Sequence, residues 1–115
     1  MGYNNYQLGT IYFKNKDFKT ALKYFEDSAA AEPHFKTYEM MYLCSVNLGD
    51  NDGSKEYLKK AYELNKNNDK VGVEYAKLVL EEGNKEISLE ILKQILQRNN
   101  TYDPAKKILD CMNKE

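Results

Sequence analysis

The 115-residue sequence has no tryptophan, one histidine, two cysteines and two prolines. Each scarcity closes off a class of protein. Cys44 and Cys111 lie far apart and form no C-x-x-C pair, so neither a disulfide framework nor a thiolate metal site is available. Two reduced thiols in a cytoplasmic compartment are expected instead. The 17 basic and 18 acidic side chains leave a formal net charge of -1, which provides no global positive field for a polyanion. Nucleic acid is therefore not expected as a partner. With a mean hydropathy of -0.77 and scattered charges, no apolar run approaches the roughly 20 residues of a membrane span. A soluble chain with no membrane partner is expected. The opening Met1-Gly2-Tyr3-Asn4-Asn5 carries neither the basic nor the apolar segment of a secretory signal.

Chemistry finds little to work with. His34 follows Pro33 in a turn, with no serine, cysteine or carboxylate at relay spacing, and reads as a surface histidine. Glu81-Glu82 and the pair Glu86 and Glu90 stand among Lys85 and Lys93, as on a solvated charged face rather than across a catalytic cleft. No glycine-rich phosphate cradle followed by Lys and Ser/Thr occurs. Asp50-Asn51-Asp52-Gly53 resembles the start of a calcium loop, but no glutamate stands at the closing position and helical periodicity resumes at once. No catalytic, cofactor or metal residue is assigned, and the chain is not expected to be an enzyme.

What the sequence does contain is helical periodicity. Apolar and small residues step by threes and fours through Phe18, Ala21, Leu22, Phe25 and Ala29, through Tyr38, Met41, Tyr42, Ser45 and Leu48, and through Ile91, Leu92, Ile95 and Leu96. The spacing predicts an all-α chain with helices over about 3–14, 18–31, 36–48, 53–65, 70–82, 86–98 and 104–113. Asp17, Asp69 and Asp103 are the expected N-caps, with Pro104 at the first helical position. The first helix lacks an evident cap, which suits an array cut from a longer chain.

An internal repeat organises these helices. Gly49 matches Gly83, Ser54 matches Ser88, Glu56 matches Glu90, Leu58 matches Leu92, Lys59 matches Lys93 and Asn65 matches Asn99, all at a separation of 34. The first segment follows with a one-residue slip, Asp17 aligning with Asp50, Tyr24 with Tyr57, and Ala21 and Ser28 with Ser54 and Ala61. Three helix-pair units of one kind stand in sequence. An ordinary helical bundle with two similar hairpins is the alternative.

Leu8-Gly9, Tyr12, Ala21, Phe25 and Pro33 resemble the tetratricopeptide repeat, with Asn5 in place of the leading aromatic. Close helix approach explains the pattern: Gly9, Ala21 and Ser28 are small where paired helices touch, and Tyr12 and Phe25 fill the gaps. The later units match less well, since Tyr42 and Ile95 replace small residues and Lys66 and Asn100 replace the closing proline. The resemblance implies a helical-hairpin solenoid forming one domain over 1–115. Its repeats span about 2–34, 35–68 and 69–102, and a capping helix at 103–113 lays Ile108, Leu109 and Met112 on the third unit.

Solenoid curvature creates a concave surface, and in the resembled family the first helix of each pair lines it. The resemblance thereby implies a peptide-binding groove of Tyr6, Thr10, Phe13, Leu43, Val46, Lys70, Val73, Lys77 and Leu80, with the third-helix register open by one residue. Phe13, Val46 and Leu80 have an alternative role as packing between repeats. The family's clamp for the acidic tail of heat-shock chaperones falls on Tyr6, Thr10, Met40, Lys70 and Glu74, of which only Lys70 suits a carboxylate. A chaperone tail is disfavoured. The expected function is a non-enzymatic protein or peptide interaction module. Self-association as a homodimer, and service to a catalytic or regulatory domain of a larger protein, are the alternatives.

Overall fold

The structure is a computed structural model that describes residues 2–114. Among these it contains seven helices and no strand: α1 (Asn5–Lys14), α2 (Phe18–Ala31), α3 (Phe35–Leu48), α4 (Asn51–Leu64), α5 (Asp69–Glu81), α6 (Lys85–Arg98) and α7 (Asp103–Asn113). Consecutive helices pack as hairpins, α1 on α2, α3 on α4 and α5 on α6, with α2 also against α3 and α7 against α5 and α6. The chain divides into two compact units, Met1–Leu64 and Asn65–Glu115.

Short polar side chains set the helix starts. At α1 the Gln7 N–H donates to Asn4 Oδ1 at 2.8 Å and the Asn4 N–H donates to Gln7 Oε1 at 2.9 Å, a reciprocal capping box. The first helix is thus capped, contrary to the sequence reading, which overlooked an asparagine followed three residues later by glutamine. Asp17 caps α2 as expected, accepting from the Thr20 N–H at 3.2 Å. Asp50 does the same for α4 through the Gly53 N–H at 3.0 Å, so Asp50-Asn51-Asp52-Gly53 is a helix start. The helix therefore begins before Gly53 rather than at it. Asn68, not Asp69, caps α5 through the Val71 N–H at 3.2 Å, and Asp69 is the first helical residue. The start of α7 also shifts: Asp103 lies inside its first turn, Tyr102 stands at the cap without a side-chain bond, and Pro104 falls at the second helical position.

The turn inside each helix pair repeats in the backbone. Lys16, Gly49 and Gly83 have φ of 63°, 75° and 88°, the left-handed conformation that reverses a chain at a helix end. The next residue's N–H closes the turn on a carbonyl five residues back: Asp17 on Tyr12 at 2.9 Å, Asp50 on Ser45 at 2.9 Å and Asn84 on Val79 at 2.8 Å. Those closing residues then cap the second helix. The sequence slip can now be localised. Between Asp17 and the cap of α3, His34, lie 17 steps, and between Asp50 and the cap of α5, Asn68, lie 18. From each of those caps to the next closing residue, Asp50 or Asn84, the distance is 16 in both cases. The extra residue sits in the link from α4 to α5, where the proline of the α2–α3 link is also missing.

In the first unit the core is Ala21, Phe25, Ala29, Met41 and Cys44, ringed by half-buried aromatics that include Tyr6, Tyr12, Phe13 and Tyr57. Phe25 is fully buried, and a Cβ at Gly9 would lie 2.7 Å from its ring carbons. Close approach therefore requires glycine here. Ala21, Ser54 and Ser88, equivalent in the repeat, are all buried, and in the second unit Ser88 Oγ donates across the helix pair to Ala76 O at 2.9 Å. Ser45 Oγ is the one fully enclosed side-chain oxygen without a partner among the described residues. In the second unit Val71, Val73, Ala76, Val79, Ile91, Leu92 and Ile95 are buried, and α7 adds Ala105 and Met112. Ile108 and Leu109 are half-buried.

Gly9→Ala is expected to lower stability by about 2 kcal/mol, because the buried Phe25 ring has nowhere to move. An unchanged urea midpoint would show that α1 and α2 are not held at this separation. Lys16→Gly is expected to raise stability by about 1 kcal/mol by relieving a left-handed lysine. The same titration with unchanged m-value measures it.

Candidate binding site

The residues expected to line a binding surface fall into two groups, one per unit. In the first unit α1 carries Tyr6, Thr10 and Phe13, and α3 carries Leu43 and Val46. Tyr6 is half-buried with its ring edge-on to Phe25 at 5.6 Å, and Phe13 is half-buried against Phe18 at 5.3 Å. Both pack on the core while keeping one side open. Thr10 donates its hydroxyl to Tyr6 O at 3.0 Å, so that proton serves its own helix. Leu43 is half-buried, and Val46, one turn further along the helix, is 52% exposed. Such exposure of a branched apolar side chain next to a second apolar residue is the most accessible hydrophobic feature of α3.

In the second unit Lys70 and Lys77 are exposed, and Lys77 pairs with Glu74 at 3.3 Å. Leu80 is half-buried and lines a cavity of about 270 Å³ between α5 and α7 with Ile108, Cys111 and Met112. Val73 corrects the sequence reading. It is only 3% exposed, so its side chain belongs to the core and has no surface to offer a ligand. Its helix has apolar residues at Val71, Val73, Ala76 and Val79, a stripe wide enough to take in Val73, and the sequence alone does not separate stripe from edge.

A larger cavity, of about 560 Å³, lies where the start of α1, the end of α2 and the start of α3 meet, and sequence reasoning missed all of it except Tyr6. Asn4, Glu32, His34, Lys36 and Thr37 are among its walls. His34 is more than a surface turn residue: its Nδ1 accepts from the Lys36 N–H at 3.1 Å, capping α3, and its ring stacks on Phe35 at 4.8 Å. A histidine in a cap position directly after Pro33 was the available signal. The remaining wall residues lie in the stretch 28–37 that joins α2 to α3 and at the start of α1, and no linear spacing connects those two segments.

Comparison with known proteins agrees with the fold. The sequence model of the tetratricopeptide repeat matches residues 3–35 and 43–68, together just over half of the chain. The chain belongs to the tetratricopeptide repeat family. No curated protein matches it. Among solved structures, yeast Tom70 superposes with a TM-score of 0.72 at 23% identity, over 92% of this chain and 22% of that one. Cut9, in the Cut9-Hcn1 hetero-tetramer of the APC/C, is similar with a TM-score of 0.68 at 18% identity, over 92% and 22%. YrrB, described as a TPR protein with an unusual peptide-binding site, gives 0.60 at 18% identity, over 92% and 73%. These likenesses establish the all-α helical-hairpin fold. The chain spans about a fifth of the length of the first two. Among the described residues no helix is long and apolar enough to cross a membrane.

The two thiols differ sharply. Cys44 is fully buried, and burial pushes its thiol from 9.0 up to about 11, whereas Cys111 is exposed. Tyr57 is also raised, first by burial and then by the negative charges of Glu26 and Asp50. Both groups hold their protons more tightly folded than unfolded, and for Cys44 this means that between about pH 9 and 11 the unfolded chain releases a proton that the folded chain keeps, with Tyr57 acting in the same direction. Stability is therefore expected to fall as pH rises through that window, and less steeply in Cys44→Ala. Iodoacetamide at pH 8 is expected to modify Cys111 alone until denaturant is added. Equal labelling of both thiols, read by mass spectrometry, would contradict the enclosure of Cys44.

Proposed function

We propose that the chain is a non-enzymatic interaction module that takes a peptide or helix of a partner protein against the first helix of each pair. The observation that carries this reading is Val46, 52% exposed beside the half-buried Leu43 on α3. Tyr6 and Phe13 on α1 contribute ring faces, and Thr10 keeps an acceptor oxygen. On α5, Leu80 is an apolar contact with Lys70 and Lys77 as orienting charges. The peptide-binding site in the description of YrrB supports the same class of role. So does the absence of any grouped nucleophile, base and oxyanion donor in the sequence. Repeats over 2–34, 35–68 and 69–102, with a closing helix at 103–113, are the proposed organisation of one domain, supported by the turns at Lys16, Gly49 and Gly83. A cytoplasmic location and a partner other than an acidic chaperone tail complete the reading, since Met40 packs against the core and Glu74 is engaged with Lys77.

Peptides selected from a displayed random library against the chain are expected to be rich in aromatic and aliphatic anchors. Val46→Asp is expected to weaken them at least tenfold, since burying a carboxylate against an apolar ligand is costly. The measurement is fluorescence anisotropy on the chain and the variant, with helical circular dichroism unchanged. Affinities that ignore the substitution would move the contact surface elsewhere. Light scattering of the free chain at several concentrations separates partner capture from self-association, because a concentration-dependent dimer would favour a second copy as the occupant.

A further inference from the structure

The cavity of about 560 Å³ in the first unit has a composition that the apolar contact surface does not explain. Two helices present their N-terminal turns to it. In α3 the Lys36 N–H is taken by His34 Nδ1 and the Tyr38 N–H by His34 O, whereas among the described residues nothing accepts from the Phe35 and Thr37 N–H groups. In α1 the Gln7 and Leu8 N–H groups are taken by Asn4, and those of Asn5 and Tyr6 are left over. Unsatisfied N–H groups and the helix dipole make such ends hospitable to anions. A helix end alone selects nothing, but Thr37 adds an independent observation. It is 3% exposed, it lines the cavity, and its hydroxyl has no hydrogen-bond partner among the described residues. Unlike Ser45 Oγ, that hydroxyl is not sealed off from solvent. A hydroxyl with no protein partner at the wall of a cavity is free to donate to a group that enters it.

Charge narrows the choice of anion. Lys36 supplies one full positive charge to the walls and Glu32 one full negative charge, while the N-terminal ends of α1 and α3 add positive partial charges and the C-terminal end of α2 a negative one, which leaves a weakly positive net field. That balance suits one negative charge and opposes two. The volume exceeds what a bare carboxylate fills and leaves room for an amino-acid residue attached to it. We propose that this cavity binds a single carboxylate carried on a residue-sized group, held by the Thr37 hydroxyl and the free first-turn N–H groups of α3. Of the clamp positions only Tyr6 borders this site, while Thr10, Met40, Lys70 and Glu74 lie outside its walls, and its test requires no knowledge of the protein's partner.

The probe is N-acetylalanine, titrated into the ¹⁵N-labelled chain, with N-acetylalanine amide as the uncharged control. Saturable shifts of the Phe35 and Thr37 amides with the acid, and none with the amide, are expected. Thr37→Val removes the hydroxyl at nearly constant shape and is expected to weaken the acid about tenfold, the loss of one charge-assisted hydrogen bond. Thr37→Ser is expected to restore it. The α-amide of N-acetylaspartate carries its carboxylate on a side chain, and the tighter of the two acids tells a chain terminus from an acidic side chain. Inorganic phosphate binding as tightly as either acid would overturn the choice of a monoanion. Absence of saturable shifts in the unsubstituted chain, or equal shifts with acid and amide, would overturn the site itself, whether or not the Thr37 variants fold.

Discussion

Everything in the first unit depends on the contact between a missing side chain and a large one. Because Gly9 has no Cβ, the Phe25 ring lies over the backbone of α1 and is removed completely from solvent. The ring then presents an edge to Tyr6 and shares a core with Met41 and Cys44 on α3, so one residue of α2 joins three helices. Burying a phenylalanine contributes roughly 1.5–3 kcal/mol by area alone. Here the larger consequence is geometric. The separation of α1 from α2 sets where Tyr6 and Phe13 stand half-open, and it also sets the width of the cavity at the start of α3.

Polar interactions contribute in another way. The near-neutral charge is not spent on strong ion pairing: Lys77–Glu74 and Lys107–Asp103 lie within single helices and are exposed, where such pairs are worth little. Arg98 is different, since it donates to Asp69 at 3.0 Å and to Lys66 O at 3.3 Å, joining the end of α6 to the start of α5. Many of the remaining side-chain hydrogen bonds are local caps. Their effect is to fix where each helix begins, and therefore which residues of a stripe face inward.

Much of this was legible in the residues. Gly9, Phe25, Ala21 and Ser88 carry the small-against-large pattern of paired helices, and a residue's volume and spacing are properties that a sequence states directly. The helix bounds agree with the spacing to within two residues. Side-chain caps account for differences at the starts of α1, α4 and α5, since Asn4, Asp50 and Asn68 act through local hydrogen bonds that periodicity does not register. The candidate surface was less legible. Val73 and Val46 are both apolar residues on first helices, yet one is buried and the other more than half exposed. The difference depends on which edge of a wide stripe the neighbouring helix covers, a property of packing rather than of spacing. The cavity at Thr37 was invisible for a stronger reason. Its walls join the link between α2 and α3 to the start of α1, and only folding makes those two segments neighbours.

The left-handed turn has a consequence for ancestry. The sequence signature of the family ends at residue 68, yet past it the backbone makes the same reversal at Gly83, with the same closing bond and an asparagine capping the helix that follows. The third pair lies outside the matched signature, yet it keeps the hinge of the hairpin together with Ser88, Leu92 and Asn99 in register with Ser54, Leu58 and Asn65. The repeat is thus written in one dihedral angle as well as in side chains. Positive φ values followed by a short polar cap mark the same three units that the 34-residue matches mark.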